Sequence, residues 1–177
     1  MRNLFIKALS KKAKKNKNIM LLSGDLGYKY FDEFSRSFPN RFINTGIAEN
    51  NMVNVACGLA LMGKEVYIYS IIPFLTFRSL EQIRNNIANL NLNIKIIGSG
   101  GGFSYGNQGI SHNPIEDISV IRSIPNIDIY NPGFEEEGKI AFKYLFNSKR
   151  PSYLRLGKKA NVEIKNILLN QQKKGEG

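Results

Sequence analysis

The sequence predicts an α/β domain, doubly wound, on a mainly parallel six-stranded sheet. Three observations point there. Short apolar runs rich in β-branched residues alternate with longer stretches of helical periodicity, the pattern of a parallel sheet covered by helices on both faces. The 177 residues fit one domain, long enough to bury about 70% of the unfolded surface. Neither a repeat of fixed period nor a Ser/Gly-rich linker divides the chain.

A helix over 3–15 has apolar positions Leu4, Phe5, Ala8 and Leu9 and ends in Lys11, Lys12, Lys14, Lys15 and Lys17, expected to form its solvated end. Strand 18–23 follows, then an irregular stretch and a short strand at Phe42-Ile43-Asn44. A helix over 48–62, a strand over 65–70 and a long helix within 74–91 come next. Strand 94–98 leads into a Gly-rich loop, 98–112; helix 114–123, strand 127–131, helix 133–147 and strand 152–156 complete the pattern. Residues 1–160 make the domain, and 161–177 read as a basic tail. In such sheets ligands sit outside the carboxyl ends of the strands, so the informative residues are expected there.

Composition narrows the function. With 42% apolar and 22% charged residues, the chain is neither disordered nor low-complexity. Its longest apolar runs, such as Tyr67 to Leu75, fall far short of about 20 residues, so no segment is expected to span a bilayer. Met1 to Lys17 lacks the apolar core and cleavage site of a secretory signal. The single cysteine, Cys57, points to a reducing, cytoplasmic compartment. Net charge is +11, but the excess sits at the termini: residues 1–18 hold seven Lys/Arg and no acid, and the body 19–147 carries a net −2. A nucleic-acid footprint is therefore not expected, since no interleaved aromatics accompany the lysines.

Three stretches carry candidate chemistry. Gly98-Ser-Gly100-Gly-Gly102 does not form a G-x-G-x-x-G, and Gly-Lys-Ser/Thr occurs nowhere, so a phosphate-cradling loop of either kind is excluded. The same loop ends in Gly109-Ile-Ser-His112-Asn-Pro, with the one histidine of the chain; without a second histidine or a nearby cysteine, a protein-only metal site is not expected. In Asn44-Thr-Gly-Ile-Ala-Glu49 a strand ends and a helix opens on an acid, which dipole complementarity alone would explain. Beside it, Phe74 and Phe77 follow the carboxyl end of the next strand, where aromatics near an acid suit a flat heteroaromatic ring.

These motifs resemble a known family. Gly46-Ile-Ala-Glu49-Asn-Asn-Met-Val-Asn-Val-Ala-Cys-Gly-Leu-Ala, Phe74-Leu-Thr-Phe-Arg-Ser-Leu-Glu-Gln-Ile-Arg-Asn and Gly106-Asn-Gln-Gly-Ile-Ser-His112-Asn-Pro-Ile-Glu-Asp117 are similar to the pyrimidine-binding domain of transketolase-type thiamine diphosphate enzymes. Ser23-Gly-Asp25-Leu, Arg122-Ser-Ile-Pro-Asn126 and Asn131-Pro132 resemble the same family in the same order, so the similarity covers about residues 2–158.

The resemblance implies that Glu49 hydrogen-bonds the N1′ nitrogen of the cofactor's aminopyrimidine, as a protonated acid in a desolvated site, and favours the imino tautomer that deprotonates the thiazolium. It implies Phe74 as ring support, with Phe77 as the second aromatic, Asp25 as a further cofactor contact, and His112 as a contact to substrate oxygens. Gln108 stands where transketolases have an aspartate that reads a substrate hydroxyl, which implies changed sugar recognition. Arg2 with Arg155 or Lys158 match the basic residues that hold a sugar phosphate. No Gly-Asp-Gly followed by Asn is present. The resemblance thus implies a partner subunit holding the diphosphate and its Mg2+ or Ca2+, an α2β2 assembly, and a ketol transfer between sugars that this chain performs only in that pairing. Alternatives are a deoxyxylulose-phosphate-synthase-like subunit, a 2-oxoacid dehydrogenase β-like subunit, and an inactive scaffold domain.

Overall fold

The structure is a computed structural model and describes residues 1–27 and 29–157. Lys158 and the expected basic tail lie outside the described residues. Six strands form one sheet: β1 (Ile19–Ser23), β2 (Phe42–Asn44), β3 (Glu65–Ile71), β4 (Ile94–Ser99), β5 (Asp128–Tyr130) and β6 (Ser152–Leu156), in the order β2-β1-β3-β4-β6-β5. Every strand pair is parallel. β3 and β4 are buried along their full length because both sheet faces are covered, which is why they are mostly apolar, with no polar-out alternation.

Around the sheet lie α1 (Arg2–Lys15), α2 (Asp32–Ser37), α3 (Glu49–Leu61), α4 (Ile72–Thr76), α5 (Leu80–Gln82), α6 (Asp117–Arg122) and α7 (Glu135–Asn147). One core packs Phe5, Leu9 and Phe34 with Phe142 and Leu145 beneath Leu21, Tyr67 and Leu154, so α1, α2 and α7 share a face. On the other face Met52, Val53, Leu75, Ile83, Ile87 and Ile121 pack on Leu22, Ile68 and Ile96. The chain is doubly wound.

Differences from the sequence-based elements have physical causes. α2 falls in the stretch left irregular; Asp32 and Glu33 in its first turn suit the helix dipole, and only Phe34 is buried, so six residues show no apolar period. The helix expected within 74–91 is broken: α4 ends at Thr76, α5 begins at Leu80 and runs into a π-helical stretch, Ile83–Ala88. Apolar Leu80, Ile83 and Ile87 keep a buried face through that change, so periodicity alone does not reveal it. Helices expected from 114 and 133 begin at Asp117 and Glu135. Lys12, expected in solvent, instead donates to Glu65 and to the Phe146 carbonyl (2.6 Å), tying α1 to the amino end of β3.

β1 leads to β2 on one side, whereas β3 leads to β4 on the other. The sheet therefore has a switch point between the carboxyl ends of β1 and β3, where such folds open a crevice.

Candidate functional site

α3 crosses from β2 over β1 to β3, so its first residue lands at that switch point. Glu49 is 2% exposed. Ser70, in β3, donates its hydroxyl to Glu49 Oε1 at 3.0 Å, and Arg78 Nη1 donates to Oε2 at 3.0 Å. Gly24, just beyond β1, leaves the room: a Cβ there would stand 3.3 Å from Glu49 Oε1. A second tie runs alongside, from Ser79 Oγ to Asn50 Oδ1 at 3.3 Å, and fixes the turn between α4 and α5 against α3.

Arg78 links the acid to the aromatics. Its guanidinium carbon lies 4.8 Å from the centre of the half-buried Phe74 ring. The Phe74 ring meets that of His112 edge-on at 5.0 Å, and Tyr105 meets His112 at 5.7 Å. Ser111 Oγ lies 2.9 Å from His112 Nδ1 and holds that side of the imidazole. Glu49, Phe74 and His112, distant in sequence, therefore form one contiguous cluster. Sequence motifs single out these three and miss Arg78, Ser70 and Tyr105. Arg78 had one available signal, its place four residues after Phe74 on a helical stretch.

The resemblance implies a dry, uncharged acid at Glu49. It is dry, but Arg78 is on it, so the isolated chain presents an ion pair.

The remaining candidates divide. Phe77 is 37% exposed and, among the described residues, stands outside the ring contacts joining Phe74, His112 and Tyr105. Asp25 adopts a left-handed backbone (φ 52°) and accepts from Asn44 Nδ2 at 3.1 Å, so its carboxylate is turned to the β2 side. Gln108 is exposed in a short 3₁₀ turn on the His112 loop. Arg2, at the start of α1, lines a cavity of about 400 Å³ with Lys29, Tyr30, Tyr69, Ile71 and Tyr105. Tyr105 also touches His112, so this cavity adjoins the cluster. Burial pushes the Tyr30 and Tyr105 phenols up, which keeps them protonated donors.

Arg155 departs from its expected role. Its Nε and Nη2 donate to the two oxygens of Asp117 at 2.9 and 3.3 Å, and the Asp117 carboxylate also accepts from Tyr153 at 2.6 Å. The guanidinium is 17% exposed and Asp117 is fully buried. Its charge is neutralised inside the protein, and it pins the His112 loop rather than opening onto the cavity. Cys57 lies in the core, where burial pushes its thiol up to about 11, so it is no nucleophile. Among the described residues, no three His, Cys, Asp or Glu side chains gather to hold a metal, and no helix is long and apolar enough to cross a membrane.

Comparison with known proteins agrees with this geometry. The family model for the transketolase pyrimidine-binding domain matches residues 1–162. The 6-deoxy-6-sulfo-D-fructose transketolase subunit SqwH of Clostridium sp. (strain MSTE9) is 33% identical over 93% of this chain and 51% of that relative. One of the subunits of the apulose-4-phosphate transketolase of Phocaeicola vulgatus is 33% identical over 92% of this chain and 53% of that relative. A solved split-gene transketolase, described as an inactive beta4 tetramer, superposes with a TM-score of 0.80 at 33% identity, covering 92% of this chain and 53% of that one. The chain spans about half the length of these relatives. With the six-stranded parallel sheet and the Glu49 cluster at its switch point, the match places the chain in the transketolase family, as a pyrimidine-binding domain.

Proposed function

We propose that this chain is the pyrimidine-binding subunit of a two-part transketolase-like enzyme, moving a two-carbon ketol unit between sugars when paired with a diphosphate-binding subunit. The observation that carries the reading is the buried Glu49 carboxyl joined through Arg78 to Phe74 and His112.

The chain's own residues fit half of thiamine diphosphate. A flat ring laid on Phe74 with a ring nitrogen facing Glu49 needs an aromatic face beside a buried carboxyl, and the guanidinium of Arg78 already meets both. When bound, the cofactor supplies the carbon nucleophile that carries the two-carbon unit. Glu49 holds a proton at a carboxyl oxygen facing the ring nitrogen, and Ser70 fixes the other oxygen. Phe74 orients the ring; His112, braced by Phe74, Tyr105 and Ser111, contacts the oxygens of the sugar. With Arg155 committed to Asp117, the anionic end of a sugar falls to Arg2 and the adjoining cavity. The names of both split relatives denote sugars with such an end, a sulfonate and a phosphate.

The surface supports the reading that a partner is needed. Ile47, Phe77, Phe103, Ile110 and Ile115 are exposed on loops at the carboxyl end of the sheet, around the cluster. An apolar rim of this kind marks a protein interface, and a second subunit seated there would dry the site and bring the diphosphate with its Mg2+ or Ca2+. An α2β2 assembly is the form proposed. Mixing with a subunit carrying Gly-Asp-Gly and a downstream Asn is expected to give turnover with ketose donors rather than pyruvate. Glu49→Ala in that mixture loses at least about 100-fold. Near-normal turnover of that variant would remove the role.

A further inference from the structure

Resting on that reading, we propose that Arg78 is an intramolecular plug of the aminopyrimidine subsite, which the cofactor must displace. Three observations converge. Both Glu49 oxygens are already engaged, Oε1 by Ser70 and Oε2 by Arg78, so a ring nitrogen from outside can reach Oε2 only in place of the guanidinium. The same guanidinium lies 4.8 Å over Phe74, in the position a flat ring supported by Phe74 would take. A guanidinium is itself planar and can lie on Phe74 while bonded to Glu49, so it imitates the shape and place of the ring that the subsite is built to hold. Finally, the mobility is one-sided: the Glu49 side chain is 1% exposed and cannot withdraw, whereas that of Arg78 is 51% exposed and can leave into water.

The plug serves the free subunit. A carboxyl sealed at the switch point with no cation beside it would be an uncompensated buried charge. Arg78 neutralises it until a ligand takes its place. The affinity measured for that ligand is then the intrinsic affinity reduced by the fraction of molecules with Arg78 swung out.

The test is made on the two-subunit complex, titrating thiamine diphosphate with Mg2+ by calorimetry. Arg78→Met is expected to lower the apparent Kd at least about fivefold, the lower end of ordinary coupling between competing groups. Arg78→Lys, which keeps the charge without the planar fork, is expected to fall between. In a Glu49→Gln background the Arg78→Met gain is expected to disappear, since nothing then holds the plug. Thermal unfolding of each variant chain checks that it is folded, and the Arg78 side-chain NMR signal of the wild type is expected to shift from a bonded to a solvated position on loading. Unchanged or weaker binding by Arg78→Met overturns the plug, whatever Glu49 does. Wild-type affinity and turnover in Glu49→Gln alone would instead overturn the function proposed for the acid.

Discussion

Asp117 and Glu49 are both buried carboxylates near the carboxyl end of the sheet, and each is paired with an arginine, yet the two pairs are built differently. Asp117 opens α6 beneath the His112 loop; Arg155 grips both of its oxygens, Tyr153 adds a third bond, and the arginine is 17% exposed. Glu49 takes one bond from an arginine that is 51% exposed, and one from a serine. The first is a closed, largely enclosed network in which both oxygens of the buried carboxylate are bonded, the kind that fixes a loop. The second is closed on one side only. Equal chemistry in unequal burial therefore separates a structural pin from a site that opens.

The largest expected effect comes from removing the charge of each acid without changing its shape. Asp117→Asn leaves Arg155 uncompensated in a dry place and is expected to cost about 3–5 kcal/mol of folding stability. Glu49→Gln returns Arg78 to water and is expected to cost less than about 1 kcal/mol. Urea unfolding of the two variants measures both, and equal losses would break the comparison.

Lys95 is a third buried charge and sharpens the contrast, because its direct partners are carbonyls, those of Ser148 (2.9 Å) and Arg150 (2.6 Å). Burial, and to a smaller extent Lys12, pushes its ammonium down from the ordinary 10.5 to about 8, against the attraction of Glu65 and Asp128. In the unfolded chain the lysine keeps its proton to about 10.5. From about pH 8 upward, unfolding thus takes up a proton, and stability rises with pH by up to about 1.4 kcal/mol per unit. Measured between pH 8 and 10, this rise is expected in the wild type and absent in Lys95→Met. A flat difference between the two would show the ammonium to be better solvated than its enclosure indicates.

Two glycines test the pairs from the backbone side. At Gly101 an added Cβ would stand 2.4 Å from Arg155 Nη1, so the guanidinium would have to shift against the two bonds that tie it to Asp117. Gly101→Ala is expected to cost about 1–3 kcal/mol and to raise the KM for sugar, because the His112 loop is displaced. Gly24→Ala asks Glu49 to move only a few tenths of an ångström. It is expected to leave stability within about 1 kcal/mol and to weaken cofactor binding instead. Reversed outcomes would mean that the loop, not the acid, is the adaptable part.

Much of this geometry was legible in the sequence, and the boundary of legibility is physical. Glu49, Phe74 and His112 sit at strand ends in motifs whose backbone address follows from topology, and the structure brings them together. The six strands were legible because β3 and β4, buried on both faces, carry short apolar runs rich in β-branched and aromatic residues. Partners of long side chains were not. Arg155 is a basic residue near a strand end, which on sequence alone suits an anion; that it is spent on Asp117 depends on how the loop from β4 folds over β6. Lys12 read as solvated for the same reason, since Glu65 is brought to it only by α1 lying across the sheet. Arg78 stands in a segment expected to be one continuous helix. The break at Phe77–Ser79, where Ser79 turns to Asn50, is what lets the arginine face back to α3.

The smallest expected effect separates the pairs by solvent alone. Screening acts over about 10 Å at 0.1 M salt and about 3 Å at 1 M, and it reaches charges in contact with water far more than enclosed ones. Half of the Arg78 side chain is in water, so its attraction to Glu49 is open to counterions; Arg155 and Asp117 are shielded by the Gly-rich loop and β6. The stability difference between wild type and Glu49→Gln, below about 1 kcal/mol at low salt, is therefore expected to shrink toward zero at 1 M sodium chloride. The Asp117→Asn difference is expected to persist, because its cost is desolvation, which salt does not repay. The same screening should loosen the plug, so the affinity gain of Arg78→Met also narrows as salt rises. If instead the Glu49→Gln difference were as indifferent to salt as that of Asp117→Asn, Arg78 would be enclosed in solution, and the site would be as closed as the pin.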